Sequence, residues 1–291
     1  MSNALNLVAG AIGKSTALLI LAAMPAGAGP IGYAIDFGGR FGTIDLGTGA
    51  FVPVGAGTGN TPDGIGGAPG GPFFTVDATS GHLLRIGADG SVTDVGDTGT
   101  GANVGPNGVS IVGGLTTGSM FVLDFSNRLF SVNTGTGALS LLGSLALPTQ
   151  ELDYSGNMVT SFNGDATHLY FTLEIAGGPN QTAAALYRID PGTLAVASVA
   201  LQGLTSRIIG SGFVNGAYYA FTEAGEIVRI DPNNGHATVV ANYDSGVPDG
   251  GGPPFTGLFG VVATPEPGSF VMLGAGLAVL AVTRRKSHRL G

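Results

Sequence analysis

Cysteine and tryptophan do not occur in this chain, and lysine occurs only at Lys14 and Lys286. Without cysteine there are no disulfides, no thiolate metal centre and no cysteine nucleophile. Without tryptophan the chain lacks the ring best suited to stacking on sugars. Positive charge is scarce as well. Between Pro30 and Ala263, 18 Asp and Glu stand against 6 Arg and no Lys, a net of −12. Phosphate recognition requires clustered Lys and Arg, so nucleic acid is excluded as a partner. Catalytic signatures are missing too: neither G-x-S-x-G nor H-E-x-x-H appears. The body holds His82, His168 and His236, none spaced with another ligand at i+2 or i+4, which reads as solvated turn residues.

Glycine is what the chain has in excess, 53 of 291 residues, with no three-residue period and hence no collagen helix. Apolar residues make up 44% and come in short alternating runs. Glycines between such runs read as turn residues between many short strands. One pattern recurs: "YAIDFGGRFGTIDLGTGAFVPVG", "FTVDATSGHLLRIGADGSVTDVG", "FVLDFSNRLFSVNTGTGALSLLG", a looser copy from Leu169, and "YYAFTEAGEIVRIDPNNGHATVVA". Tyr33, Phe74, Phe121, Tyr170 and Tyr219 anchor the copies at spacings of 41, 47, 49 and 49. Periods near 40–50 with strand alternation predict an all-β propeller. Each copy reads as a three-strand meander preceded by a further strand, which makes four per blade and about five blades. The first copy lacks its preceding strand, and "TGLFGVVA" at Thr256–Ala263 is positioned to supply it. A sixth unit is the alternative, because the stretches beginning "PDGIGG" and "PDGGGPP" share a start. The turn "LYRIDPGT" resembles that of secreted propellers and implies no activity.

The two ends differ from the body. An apolar run at Ala17–Ala23 leads to Ala26-Gly27-Ala28, an A-x-A pattern, so residues 1–28 read as a signal peptide cleaved beside Ala26 and Ala28. Residues 29–263 form the repeat domain and 264–291 a tail. In the tail, Pro265-Glu266-Pro267 precedes the 16-residue stretch Gly268–Thr283, whose Phe270–Val282 core is free of charge. As a helix it spans about 24 Å, short of the roughly 30 Å hydrocarbon core. Arg284, Arg285 and Lys286 follow it and would fix its topology with the body outside.

Proline–glutamate–proline, an apolar stretch and a basic cluster in that order resemble the PEP-CTERM sorting signal. The resemblance implies a protein exported in a Gram-negative bacterium that makes extracellular polysaccharide. It implies transient anchoring in the inner membrane by a transmembrane helix, and an exosortase as partner that removes the tail at Pro265, Glu266 and Pro267. The cell surface or matrix would then be the destination, with extracellular polysaccharide as a further partner.

For the body, the expected role is non-enzymatic, structural or binding, with no cofactor. The alternative is a calcium-dependent propeller hydrolase or lyase acting on sugars or lactones. Asp63 and Asp249 in matched "PDG" turns, with Asp244 nearby, offer oxygen ligands for Ca²⁺, although no D-x-D-x-D spacing accompanies them. A catalytic propeller would gather these carboxylates and histidines at one mouth. Arg85, Arg188 and Arg229 share one slot in their copies and Arg40 and Arg128 another. A ring of cations is one reading; outward strand positions covering apolar surface are the other.

Overall fold

Alternating apolar runs bounded by Gly, Asn and Asp fold into antiparallel meanders, because each strand buries one face and each turn residue tolerates the required dihedrals. The computed structural model describes residues 29–59, 62–99, 110–124, 126–147, 157–175, 185–243 and 258–264. Among them there is no helix; the helices expected at the two ends lie outside these residues.

The chain opens with β1 (Ile31–Asp36), β2 (Phe41–Asp45) and β3 (Phe51–Pro53). Next come β4 (Gly66–Gly67), β5 (Phe73–Val76), β6 (His82–Ile86) and β7 (Val92–Asp97). A third group is β8 (Ser110–Gly114), β9 (Met120–Asp124), β10 (Arg128–Val132) and β11 (Leu139–Ser144). A fourth is β12 (Asn157–Gly164), β13 (Leu169–Ile175), β14 (Ala185–Ile189) and β15 (Val196–Ala200). Then follow β16 (Ile208–Val214), β17 (Ala217–Thr222), β18 (Glu226–Ile230), β19 (Ala237–Asn242) and finally β20 (Leu258–Ala263).

The strand missing from the first copy comes from the end of the domain. β20 pairs antiparallel with β1, Tyr33 lying opposite Val262, and gives the order β20-β1-β2-β3. β20 therefore completes the first copy; the stretch "PDGGGPP" before it lies outside the described residues. A single parallel bridge, Ser211 to Gly260, joins β16 to β20, so this meander and β16–β19 run together as an eight-stranded sheet. The other twelve strands form three four-stranded sheets.

Packing follows the same circuit. Each pair of successive meanders encloses an apolar cluster: Ile35, Phe41 and Val262 against Ile65, Phe73 and Ile86, for example. Another sets Leu123 and Leu129 against Phe171 and Ile189. The last sets Val214, Phe221 and Ile227 against Ile44 and Val261, returning to the start. Aromatic rings reinforce these layers, as where Tyr33 stacks on Phe41 at 5.4 Å and meets Phe73 at 4.6 Å.

The circumference is closed by a second device. In the hairpin between its last two strands, a meander presents a positive-φ residue to the outer strand of the meander before it. A Cβ on Gly90 would strike Val54, on Gly137 Gly96, on Gly235 Ala200, and on Gly49 Asn242. In the remaining hairpin Leu194 holds this place at φ 60°, and its side chain lies where Gly143 offers none. Radially packed four-stranded meanders around one axis are the architecture of a β-propeller.

Candidate functional site

The inner strands β4, β8, β12, β16 and β20 leave little room at the axis. Side chains on Gly64, Gly113 or Gly212 would overlap the carbonyl oxygens of Val112, Phe162 and Val261 respectively. Into this space β12 projects Asn163, which is buried. Its amide nitrogen donates to the carbonyl of Ile65 at 3.0 Å and reaches those of Ser211 and Val261 at 3.4 Å. Its oxygen accepts from the Gly164 amide. One side chain thus ties three other inner segments to β12. Nothing in the repeat singles out this residue, because the other inner strands have Gly or Val near that place; the one signal was an amide where the pattern allows only small or apolar residues.

One end of the axis carries the turns after β1, β5, β9 and β17. Each begins with a residue that caps its own turn. Asp36 accepts from the Arg40 amide at 2.8 Å and its guanidinium at 2.5 Å. Asp124 does the same for Arg128. Asp77 accepts from Thr79 and Ser80, and Thr222 from the Glu226 amide. Arg40 and Arg128 are therefore turn clamps, while Arg85, Arg188 and Arg229 are exposed on β6, β14 and β18. The outward-position reading holds for these three.

Asp63 differs from the caps. Among the described residues its buried Oδ2 has no hydrogen-bond partner, and burial, with Asp77 beside it, pushes its carboxyl up to about 7. Asp244 and Asp249 lie outside the described residues. The histidines are apart. His82 bonds Asp94 on the outer strand at 2.8 Å, His168 sits on a turn at the opposite end, and His236 lies on a circumferential hairpin beside Gln202. Among the described residues no group of three or more His, Asp and Glu is arranged to hold a metal ion.

At the opposite end the turns after the inner strands surround a cavity of about 750 Å³, lined by Pro69, Thr116, Asp165, Phe213, Asn215 and Thr264 among others. The one carboxylate among its described lining residues, Asp165, is occupied. Burial works to raise the Asp165 carboxyl, but bonds from the Thr167 and His168 amides and the Tyr170 hydroxyl hold it below the ordinary range. Burial and Asp165 in turn push the Tyr170 hydroxyl up to about 12. Both chain ends of the domain lie at this cavity. Thr264 donates through its amide and Oγ1 to the carbonyl of Ile31, at 3.3 and 2.9 Å.

Fold and axis together define a propeller-like body. Of solved structures, the nidogen/laminin complex includes a chain of this fold. The match has a TM-score of 0.51 at 11% identity, covering 81% of this chain and 98% of that one. Virginiamycin B lyase from Staphylococcus aureus aligns at TM-score 0.40 and 13% identity, over 69% of this chain and 62% of that one. A streptogramin B lyase aligns at 0.40 and 15%, over 71% and 63%. No curated protein sequence matches. Residues 263–286 match the PEP-CTERM protein-sorting motif. That match contains Pro265, Glu266, Pro267, Arg284, Arg285 and Lys286, which lie outside the described residues, as do Ala26 and Ala28 of the leader. Among the described residues no helix is long and apolar enough to cross a membrane.

Proposed function

We propose that this is an exported, non-enzymatic cell-surface or matrix protein, a five-bladed propeller delivered by its tail to an exosortase and associated with extracellular polysaccharide. The sorting motif over residues 263–286 carries the reading. It begins at the last residue of β20, the strand that completes the first meander, so removal of the tail leaves the ring whole. The five meanders support the blade number, and the separation of the described carboxylates and histidines supports a binding or structural role. The C-terminal apolar stretch serves as a temporary anchor, with Arg284–Lys286 on the cytoplasmic side.

Replacing Pro265-Glu266-Pro267 with three alanines tests this in a host that has the exosortase. Hydrophobicity of the stretch behind it is untouched, so membrane insertion persists while processing fails. The expected result is accumulation in the membrane fraction of a form about 2.5 kDa heavier than the mature chain, the mass of some 25 residues at the chain's mean residue mass. Processing and release like the wild type would defeat the reading.

A further inference from the structure

The end of the ring that carries the cavity is set apart by where the chain leaves it. The turns following β4, β8, β12 and β16 line the same cavity as Ala263 and Thr264 at the end of β20, so all inner strands run toward this end. The chain also enters here, since Ile31 opens β1 bonded to Thr264. Thr264 is therefore at the axis, and only Pro265, Glu266 and Pro267 separate it from the apolar stretch that begins at Gly268.

We propose that in the tail-bearing protein this end of the propeller lies against the lipid headgroups, and that the opposite end, with the turns of Asp36, Asp77 and Asp124, points away. The inference rests on the anchor reading above and adds an orientation to it. Chain length supplies the argument. Four residue steps from Thr264 to Gly268 reach at most about 14 Å when fully extended. The headgroup layer on one side of a bilayer takes roughly 5–8 Å of that. What is left, roughly 6–9 Å, is less than the spacing of one packed sheet layer, about 10 Å. Lying on its side is excluded by the same numbers. The outer strand β3 is three strand spacings from β20, about 14 Å before side chains are added. A propeller on its edge would hold Thr264 farther from the bilayer than the three residues can span.

The mouth has the surface such a contact needs. The turns Ala68–Pro72, Leu115–Ser119 and Asn215-Gly216 carry no charged side chain, and Asp165 is saturated by its own turn. Four further acids at the ends of third strands, Asp45, Asp89, Asp190 and Asp231, belong to the circumferential hairpins and cap them.

The absence of cysteine makes the test direct. Single variants Ala166→Cys and Thr117→Cys mark the cavity end; Thr79→Cys and Ser126→Cys mark the other. All four positions are exposed. The full-length chain is expressed in a host without an exosortase, fractionated, and labelled on the outer side with a bulky, membrane-impermeant maleimide. Cysteines at the cavity end should react at least several-fold more slowly than those at the other end, and equally fast once detergent removes the bilayer. A Gly-Ser insertion of about 12 residues between Thr264 and Pro265, reaching roughly 40 Å, should restore their reactivity while the chain stays in the membrane. Equal labelling of all four in a membrane-bound chain overturns the orientation and leaves the anchor standing. Slow labelling that appears only when an exosortase is supplied overturns it also, making the covering surface the enzyme. A chain found only in the soluble fraction overturns the anchor, and the orientation with it.

Discussion

One amide nitrogen, that of Asn163, faces three backbone carbonyls from separate inner segments. Truncation to alanine leaves buried acceptors unmatched and should cost about 2–4 kcal/mol. Asn163→Asp separates donor chemistry from packing. The side chain keeps its shape but turns an anionic oxygen on the same carbonyls, so it should destabilise more than alanine and recover partly as pH falls. An aspartate variant as stable as wild type in urea melts would mean that the axis needs only the volume. Asp63 makes the opposite case, a carboxyl whose surroundings favour its neutral form. Because its folded value lies above its unfolded one, the folded state binds the proton more tightly. Stability from this group is therefore greatest below about pH 4 and lost as pH rises to about 7. A carboxyl moved this far carries about 4 kcal/mol in full. Asp63 keeps part of its surface in water, so Asp63→Asn should gain roughly 2 kcal/mol at pH 8, some 4–8 °C in Tm. The gain should vanish at pH 4; an equal gain at both values would trace the effect to something other than titration.

At the scale of elements, the hairpins that meet the preceding meander hold the circumference. Gly49 combines φ +78° with a Cβ position that overlaps the Asn242 carbonyl, whereas Gly59 has φ +70° and no described residue within 4 Å of its Cβ position. Gly59→Ala should then cost about 1 kcal/mol for the left-handed backbone alone. Gly49→Ala should cost at least twice that, because the contact between the first and last meanders must also open. Equal losses in thermal melts would mean that the seam contributes nothing. These hairpins also show what was legible in the sequence. Asp, Asn and Gly announce a turn through their own chemistry, so the strands ending at Asp45, Ile86, Val132, Ile189 and Ile230 could be placed from one copy of the pattern to the next. Contacts between copies could not. Leu194 in a glycine place, Gly143 kept empty for it, and Asn163 at the axis are each answers to a neighbour some 50 or more residues away, and a period carries no information about its exceptions. The acids were legible as loop residues but not in their roles: Asp36 and Asp124 spend their charge on Arg40 and Arg128 within four residues. Asp63 stands apart because its buried Oδ2 finds no partner among the described residues.

For the molecule as a whole, the last strand decides whether there is a ring. β20 brings buried Leu258 and Val261 between the first and last meanders and Val262 between the first and second, and gives β1 its inner partner. Burying a Leu or Val side chain is worth about 1.5–3 kcal/mol, so three of them carry roughly 5–9 kcal/mol. That is comparable to the total stability of an ordinary domain, about 5–15 kcal/mol. A chain ending at Pro254 also leaves the edge of β1 open to other chains. It should fail to fold cooperatively and aggregate, while one ending at Thr264, which keeps the bonds to Ile31, should melt like the mature protein. The same contrast bears on processing. A cut on the tail side of Thr264 leaves β20 in place, whereas a cut only a few residues upstream takes away the final strand. On the proposed function, an enzyme that removes the tail works beside a boundary set by the fold, with Ala263 paired to Gly32 on one side and the Pro-Glu-Pro triplet starting two residues later. Comparing the melting of the chains ending at Pro254 and at Thr264 tests the boundary. Equal, cooperative transitions for both would show that β20 pairs with β1 without holding the ring.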